Sequence, residues 1–144
     1  MSASTHSPWR ADNTATLEVH AHDRQQALQA LLDAAVAMMF GADAVAVDAA
    51  GPQAPVRGEG ADLGAAAADL LDDLCVQVEL HGLPQAAMLD GVLRRDRGGW
   101  VAWGYFTPQG GTPRAVTFER AGEIAVLAET HDAIGLRAAL RRLG

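Results

Sequence analysis

The feature of this sequence that most constrains its fold is a pattern that occurs twice. In each copy an extended segment is followed by an aspartate and then by an amphipathic helix. In the first copy, apolar residues from Ala15 to Ala21 alternate with polar ones, which is typical of a strand with one buried face. Asp23 then stands at a helix N-cap position, and apolar residues follow at helical spacing from Leu28 to Met39. The first copy therefore predicts a strand followed by a long helix with a buried face.

The second copy opens with a short strand predicted at Val56 to Glu59. A helix is predicted from near Asp62 to Val78, and His81-Gly82 followed by Pro84 would end it. Between the two copies, another short strand is predicted at Val45 to Asp48. Two similar copies suggest a duplicated folding module.

The remaining part of the chain, from Ala87 onward, predicts four strands and a final helix. Ala87 to Arg95 and Trp100 to Thr107 are typical of one β-hairpin, and Arg114 to Glu119 with Glu123 to Glu129 of a second. Asp132 to Leu143 predicts a short C-terminal helix. Together these elements predict an α+β fold of two layers, with a mainly antiparallel sheet and two principal helices.

The length of 144 residues predicts one domain, with residues 1–13 as a flexible N-terminal arm and residues 14–144 as the folded part. All 11 basic residues are arginine. Without lysine, Schiff-base catalysis and a phosphate-binding loop that carries a lysine are excluded. Cys75 is the one cysteine, so the chain has no internal disulfide, which fits a reducing compartment.

The net charge of -7 is unevenly distributed along the chain. Residues 1–90 carry 3 basic and 13 acidic side chains, while residues 91–144 carry 8 and 5. An acidic total disfavours binding to a nucleic-acid backbone, and we expect none. Since the sequence shows neither a secretory signal nor an apolar run of membrane-spanning length, we expect a cytoplasmic protein that does not insert in membranes.

Three stretches resemble the archease family. Asp12 to Val19, followed by the Asp23 cap, resembles the family's opening, which reads Asp-His-Thr-Ala-Asp before a strand and a helix. Val56 to Leu74 looks like its second strand-to-helix unit, and Arg114 to Phe118 looks like its Lys-Ala-Val-Thr-Tyr strand. The resemblance covers about residues 12–128, and it implies an archease-like domain over residues 14–144 built from strand, helix, strand, strand modules.

The resemblance also implies a function. Archeases are accessory factors that promote the guanylylation of an RNA-splicing ligase, and they hold a divalent cation between the first motif's carboxylate and a C-terminal aspartate. Here Asn13 replaces the motif's histidine, Thr16 replaces its second aspartate, and the chain ends in Leu143-Gly144. Because Asp12 is left as the one carboxylate, we expect the cation site to be lost or rebuilt, with calcium or magnesium bound only if it is retained.

A different metal site is the alternative at the first strand. His20 and His22 lie two residues apart, so both imidazoles would project to one face and could share a transition metal with Glu18 or His131. Two solvated histidines on the polar face of an edge strand explain the same pattern.

Arg94, Arg95 and Arg97 lie near the tip of the first predicted hairpin, close to Trp100 and Trp103. Arginine and tryptophan are the residues that most often anchor protein interfaces. We therefore expect the three arginines and Trp100 to contact a partner. The two tryptophans have opposite strand parity, so at least one should pack in the core.

Three other patterns favour structural roles. The Gly58-Glu59-Gly60 run resembles a phosphate-binding turn, but two nearby acidic residues make a tight connection the better interpretation. Cys75 and His81 could form a nucleophile pair, yet Cys75 falls on the apolar face of its helix, which favours a buried structural thiol. The acidic cluster of Asp69, Asp72 and Asp73 is best interpreted as a solvated helix surface.

These patterns predict no catalytic residue. The first functional hypothesis is an archease-like accessory protein that binds another protein, in particular an RNA ligase. The second is an interaction or assembly module, including a homodimer, that keeps the fold without a metal or an RNA-ligase role. A small-molecule enzyme is a third alternative, which would need a pocket that gathers His20, His22 and a carboxylate.

Overall fold

The computed structural model of the chain describes residues 3–40, 53–81, 84–95, 98–108 and 117–143. These ranges contain antiparallel sheets and two helices, which confirms the α+β class. The elements in chain order are β1 (Ala3–His6), β2 (Thr14–Ala21), α1 (Arg24–Phe40), β3 (Ala54–Gly60), α2 (Leu63–His81), β4 (Pro84–Arg94), β5 (Trp100–Pro108), β6 (Thr117–Arg120), β7 (Ala125–Glu129) and β8 (Ile134–Leu143).

The strands form two antiparallel sheets. A five-stranded sheet has the order β1-β2-β8-β6, with β7 also paired to β8. A three-stranded sheet has the order β3-β5-β4. The strands that precede the two helices, β2 and β3, therefore belong to different sheets.

Both helices begin as the sequence predicts. The Asp23 carboxylate accepts a hydrogen bond from the backbone N–H of Gln26 at 2.8 Å, and the Asp62 carboxylate accepts one from Ala65 at 2.8 Å. Each carboxylate thus satisfies a backbone donor of the first helical turn that has no partner within the helix. The two copies of the strand-to-helix run are locally alike.

The core lies where the helices meet both sheets. Helix α1 packs against β2 and β4, while α2 packs against β3, β5 and β6. No helix in the described ranges is long and apolar enough to cross a membrane. The largest fully buried side chains are Leu17, Leu28, Leu31, Leu32, Leu63, Leu70, Leu71, Leu74, Phe106, Ile134, Leu136 and Leu140.

The predicted C-terminal helix is wrong, because Ile134–Leu143 forms strand β8. Leu136, Ala138 and Leu140 are buried, and each is followed by an exposed residue: Arg137, Ala139 and Arg141. This is the period of a strand. Alanine, leucine and arginine favour helices in isolation, and pairing with β2 on one side and with β6 and β7 on the other overrides that preference.

The second predicted hairpin is also wrong. Strands β6 and β7 do not pair with each other but lie one after the other along the same edge of β8. The backbone N–H of Ala121, between them, donates to the Ala139 carbonyl of β8 at 2.7 Å. The chain bends at Gly122, where φ is +93°, without reversing onto itself. Because the sequence predicts a helix in place of β8, it does not identify β8 as the strand with which both β6 and β7 pair.

The N-terminal arm was predicted without a strand, whereas the structure places β1 there. Ala3–His6 pairs antiparallel with β2, and the connecting turn is closed by the Arg10 backbone N–H, which donates to Thr14 at 2.8 Å. Four mostly polar residues carry no readable burial pattern, so this strand was missed. The strand predicted at Val45 to Asp48 lies outside the described residues.

Candidate functional site

Asp12 lies in the turn between β1 and β2. Its Oδ1 accepts hydrogen bonds from the Thr14 hydroxyl at 2.6 Å and from the Thr14 backbone N–H at 3.1 Å. These bonds, that of the hydroxyl first, lower the pKa of Asp12. The Arg10 guanidinium spans the same turn and donates to the hydroxyls of Thr14 and Thr16 at 3.3 and 3.2 Å.

A second arginine from the end of β8 reaches this turn. Arg142 Nη2 donates to Asn13 Oδ1 at 3.0 Å, and its guanidinium lies 6.0 Å from the Trp9 ring centroid. The archease resemblance implies a carboxylate from the C-terminus at this place, and the structure brings a cation instead. One carboxylate beside two guanidinium groups does not fit a hard divalent cation, which needs several oxygen ligands. Within the described ranges, no three histidine, cysteine, aspartate or glutamate side chains gather as metal ligands.

The two candidate histidines of the first strand have different partners. His20 Nε2 lies 2.8 Å from Glu18 Oε1, and the other oxygen of Glu18 accepts from Arg137 at 3.3 Å. The hydrogen bond with His20, and then that with Arg137, lowers the pKa of Glu18. His22 instead lies beside the turn that precedes β8, with its Nδ1 atom 3.4 Å from the carbonyl oxygen of Asp132. His20 therefore pairs with Glu18, whereas His22 contacts Asp132.

Two arginines lie close to the ring of Trp100. The guanidinium carbons of Arg24 and Arg94 lie 4.7 and 5.8 Å from its ring centroid, within the range of cation–π attraction. Arg24, at the start of α1, also pairs with Glu129 at 3.0 Å. Trp100 is half-buried against the core, so it ties the hairpin to α1.

The other arginines of the predicted contact set are not gathered with Trp100. Arg95 pairs with Glu59 at 3.1 Å, and Arg57 pairs with the same carboxylate at 3.1 Å. Arg97 lies outside the described residues. Of the predicted set, the structure therefore brings Arg94 and Trp100 together and places Arg95 in a separate cluster.

An exposed apolar surface appears on the outer face of the three-stranded sheet, which we call the outer sheet face. Met88, Leu93 and Trp103 are 49%, 57% and 39% exposed there. Trp103 pairs with Gly91, and its ring occupies the space over that glycine, since a Cβ on Gly91 would lie 2.6 Å from the ring. Sequence reasoning missed this surface because it gave the contact role to Trp100, although the opposite parity of the two tryptophans was readable.

The aspartates of α2 lie on the solvent side of the helix, and each also makes a specific contact. Asp69 accepts a hydrogen bond from the Glu59 backbone N–H at 2.9 Å. Asp73 accepts one from the Arg57 backbone N–H at 2.7 Å. Asp72 binds the Arg120 guanidinium through two oxygens, at 2.9 and 3.0 Å, and raises the pKa of that arginine.

The run Gly58-Glu59-Gly60 lets α2 approach β3. A Cβ on Gly58 would lie 2.3 Å from the backbone nitrogen of Leu70, and one on Gly60 would lie 2.5 Å from that of Ala66. Real Cβ atoms do not approach backbone so closely, so both positions require glycine. The two glycines thus have a packing role between strand and helix.

Cys75 has the environment of an inert thiol. Burial, and then the charges of Asp72 and Glu79, raise the pKa of Cys75 to about 12. A thiol of this kind stays protonated at neutral pH and is a poor nucleophile.

The comparisons with known proteins show the fold. No family model and no curated protein matches this chain. Among solved structures, the solution structure of protein 1598 of Methanobacterium thermoautotrophicum, a structural-genomics target, matches with a TM-score of 0.71. The match covers 96% of this chain and 97% of that one at 18% sequence identity. At this identity the likeness shows a shared fold alone, and the archease resemblance stays a prediction from the sequence.

Proposed function

We propose that this chain is a non-catalytic accessory protein that acts by binding another protein through its outer sheet face. The observation that carries the proposal is the exposure of Met88, Leu93 and Trp103 on one sheet face. Contiguous exposed apolar surface marks interaction sites in proteins that are otherwise well packed. The archease resemblance makes an RNA-splicing ligase the first candidate partner.

The strand register supports one continuous patch. Met88 pairs with Tyr105, Leu93 pairs with Val101, and Trp103 lies over its partner Gly91. The patch therefore crosses both β4 and β5 and has a tryptophan at its centre. A central, partly packed tryptophan is the kind of side chain that dominates binding energy at interfaces.

One end of the patch carries charge. Arg57 and Arg95 both pair with Glu59. The carboxylates of Asp69 and Asp73 bind the backbone of β3 beside them, so charges of both signs meet there. A partner surface with an apolar centre and a rim of both charges would match this arrangement, since complementary charge sets orientation and association rate.

The groups that could support catalysis are engaged elsewhere. Cys75 has its pKa raised to about 12, His20 is paired with Glu18, and Asp12 is bound by Thr14. These contacts support a binding role for the chain over a reaction of its own.

A second candidate function is an interaction or assembly module without an RNA-ligase role. The placement of Arg142 on Asn13 favours it, because the turn that would hold a cation in an archease holds a guanidinium here. The two candidates share the outer sheet face and differ in the partner.

The test uses the full chain and a purified RNA-splicing ligase from the same organism. We expect the wild-type chain to bind the ligase and to raise the rate of its guanylylation with GTP. Leu93→Ser and Met88→Ser should weaken binding at least 10-fold, since each removes a large apolar side chain from the patch. Leu127→Ser is the matched control, because Leu127 is 39% exposed on β7, outside the patch.

Failure takes two distinct forms. If the ligase neither binds nor responds, while another protein captured from cell lysate is lost from Met88→Ser and kept by Leu127→Ser, the module function replaces the ligase role. If no bound protein distinguishes the Met88 and Leu127 variants, the outer sheet face is not a contact surface.

A further inference from the structure

A groove runs along the exposed side of α2, between this helix and strands β6 and β7. It consists of two cavities, of about 420 and about 330 Å³. Asp72 and Arg120 line both cavities, and their ion pair lies where the cavities adjoin. We call the two cavities together the α2 groove.

The lining of the α2 groove is acidic. Arg120 is the one basic side chain that the described residues contribute to it, and Asp72 already neutralises this charge. Glu119 pairs with Arg141 at 3.5 Å. The carboxylates that line the groove are those of Asp62, Asp69, Asp72, Glu79, Glu119 and Glu123.

The same groove presents apolar side chains to solvent. Val76 is 51% exposed in the wall of the smaller cavity, and Leu80, one helical turn further along the same side of α2, is 70% exposed. Leu143 from β8 lines the smaller cavity and Val126 from β7 lines the larger, and each is 39% exposed. Single exposed apolar residues are ordinary, whereas several along one groove are typical of an interaction site.

We propose that the α2 groove binds a basic amphipathic segment of a partner protein. Its apolar side chains would pack on Val76, Leu80 and Leu143, and its lysine or arginine side chains would face the surrounding carboxylates. This inference rests on the proposed function for the existence of a protein partner, and it adds a second surface and the chemistry of the segment that occupies it. The combination of apolar anchors and acidic rim follows the mode in which amphipathic helices enter grooves.

Charge selects this occupant over two others. A nucleic acid would be repelled by the carboxylates of the groove. A second copy that met this groove with its own groove, as in a symmetric dimer, would bring two acidic surfaces together. A cationic segment gains both attraction and burial.

The length of the groove sets the probe. The 19 residues of α2 span roughly 28 Å at 1.5 Å per residue, which matches a helical peptide of about 18 residues. The probe is a fluorescein-labelled peptide of this length, with leucine at i, i+3, i+4 and i+7 spacing and lysine at the remaining positions. Two reference peptides replace leucine by serine or lysine by glutamate.

Binding is measured by fluorescence anisotropy with the full chain at physiological salt. We expect one-to-one binding of the lysine–leucine peptide and at least 10-fold weaker binding of both reference peptides. Leu80→Ser should weaken binding about 10-fold through lost burial, and Glu123→Gln a few-fold through lost attraction. The matched controls Leu127→Ser and Asp90→Asn, at exposed positions outside the groove, should bind as the wild type does.

Three results would overturn the inference. Equal binding of the serine-substituted peptide would mean that net charge alone attracts the probe. Unchanged binding by Leu80→Ser would place the peptide elsewhere. A wild-type dimer that becomes a monomer in Leu80→Ser, seen by sedimentation, would make a second copy the occupant. None of these affects partner binding by the outer sheet face, which the Met88 and Leu93 variants test separately.

Discussion

The two edges of the three-stranded sheet are both covered by a helix, but they are closed by different chemistry. At the β3 edge, α2 approaches until its backbone meets Gly58 and Gly60. Asp69 and Asp73 then accept the outward backbone N–H groups of Glu59 and Arg57. The groups bound here are N–H donors, and carboxylates, which only accept, are suited to them.

At the β4 edge, one residue of α1 closes the strand. Gln29 Oε1 accepts from the Leu89 backbone N–H at 2.7 Å, and its Nε2 donates to the Ala87 carbonyl at 2.9 Å. The strand is irregular here, with a register shift between Leu89 and Gly91. Because Gln29 binds one acceptor and one donor of the strand, an amide, which has both functions, is suited to this contact.

The comparison shows how this sheet avoids open edges. An unpaired strand edge invites pairing with another chain, and covering it is one of the ways in which proteins prevent that. The hydrogen bonds of Gln29 to β4 are partly buried, whereas those of Asp69 and Asp73 to β3 are exposed. The β3 edge should therefore depend mainly on close packing, and the β4 edge on its hydrogen bonds.

The largest expected effect follows from packing at the β3 edge. In Gly58→Ala the new Cβ would lie 2.3 Å from the Leu70 nitrogen and 2.6 Å from the Ala66 carbonyl oxygen, and neither backbone atom can turn away. Helix α2 would have to move off β3, at a cost of about 3 kcal/mol or more in the free energy of unfolding. Urea unfolding followed by circular dichroism measures it.

Gly91→Ala is the matched control for that substitution. Its Cβ would also be too close to a neighbour, at 2.6 Å, but this neighbour is the ring of the exposed Trp103, which can swing outward. We expect a loss of about 1 kcal/mol. Equal losses in the two variants would contradict the view that backbone contact makes the β3 edge special.

The second prediction replaces the amide at the β4 edge by a carboxylate and a carboxylate at the β3 edge by an amide. Gln29→Glu keeps an acceptor for Leu89 but loses the donor to Ala87 and sets a carboxylate against that carbonyl, so it should cost about 1–3 kcal/mol. Asp73→Asn keeps an acceptor for Arg57 and should cost less than about 1 kcal/mol. Thermal and urea unfolding of both variants give the comparison, and a larger loss in Asp73→Asn would reverse our ranking of the edges.

The sequence predicts a hydrogen bond of this domain well when its two partners are close along the chain, and poorly when they are far apart. The caps Asp23 and Asp62 were predictable, since each lies within three residues of the donor it satisfies. The partners of Asp69 and Asp73 lie 10 and 16 residues away, and that of Gln29 lies 60 residues away. No local pattern marks such pairs, because the register between a helix and a strand edge is set by the packing of the whole domain.

The same reasoning explains the errors in the site. Gly58 and Gly60 were noticed as unusual, but the reason for them is a helix that arrives later in the chain. Strand β8 has the alternation of a strand, but its alanine, leucine and arginine residues favour a helix in isolation, so local preference alone predicts the wrong element. The sequence assigns the contact role to Trp100 and not to Trp103. The parity of the strand indicates that the two tryptophans face opposite sides of the sheet, but it does not indicate which side the core covers.

The smallest expected effect appears only at alkaline pH, and it concerns the thiol of Cys75 on α2. Cys75 lies on α2, and burial raises its pKa to about 12 from an ordinary value of 9.0, so the folded state favours the neutral thiol. This contribution to stability is complete below about pH 9 and is lost as the pH rises from there toward 12, because the unfolded chain releases the proton first. The midpoint of urea unfolding at pH 7, 9 and 10 should therefore fall more steeply above pH 9 in the wild type than in Cys75→Ala. Parallel curves would show that the thiol is not desolvated in the folded state.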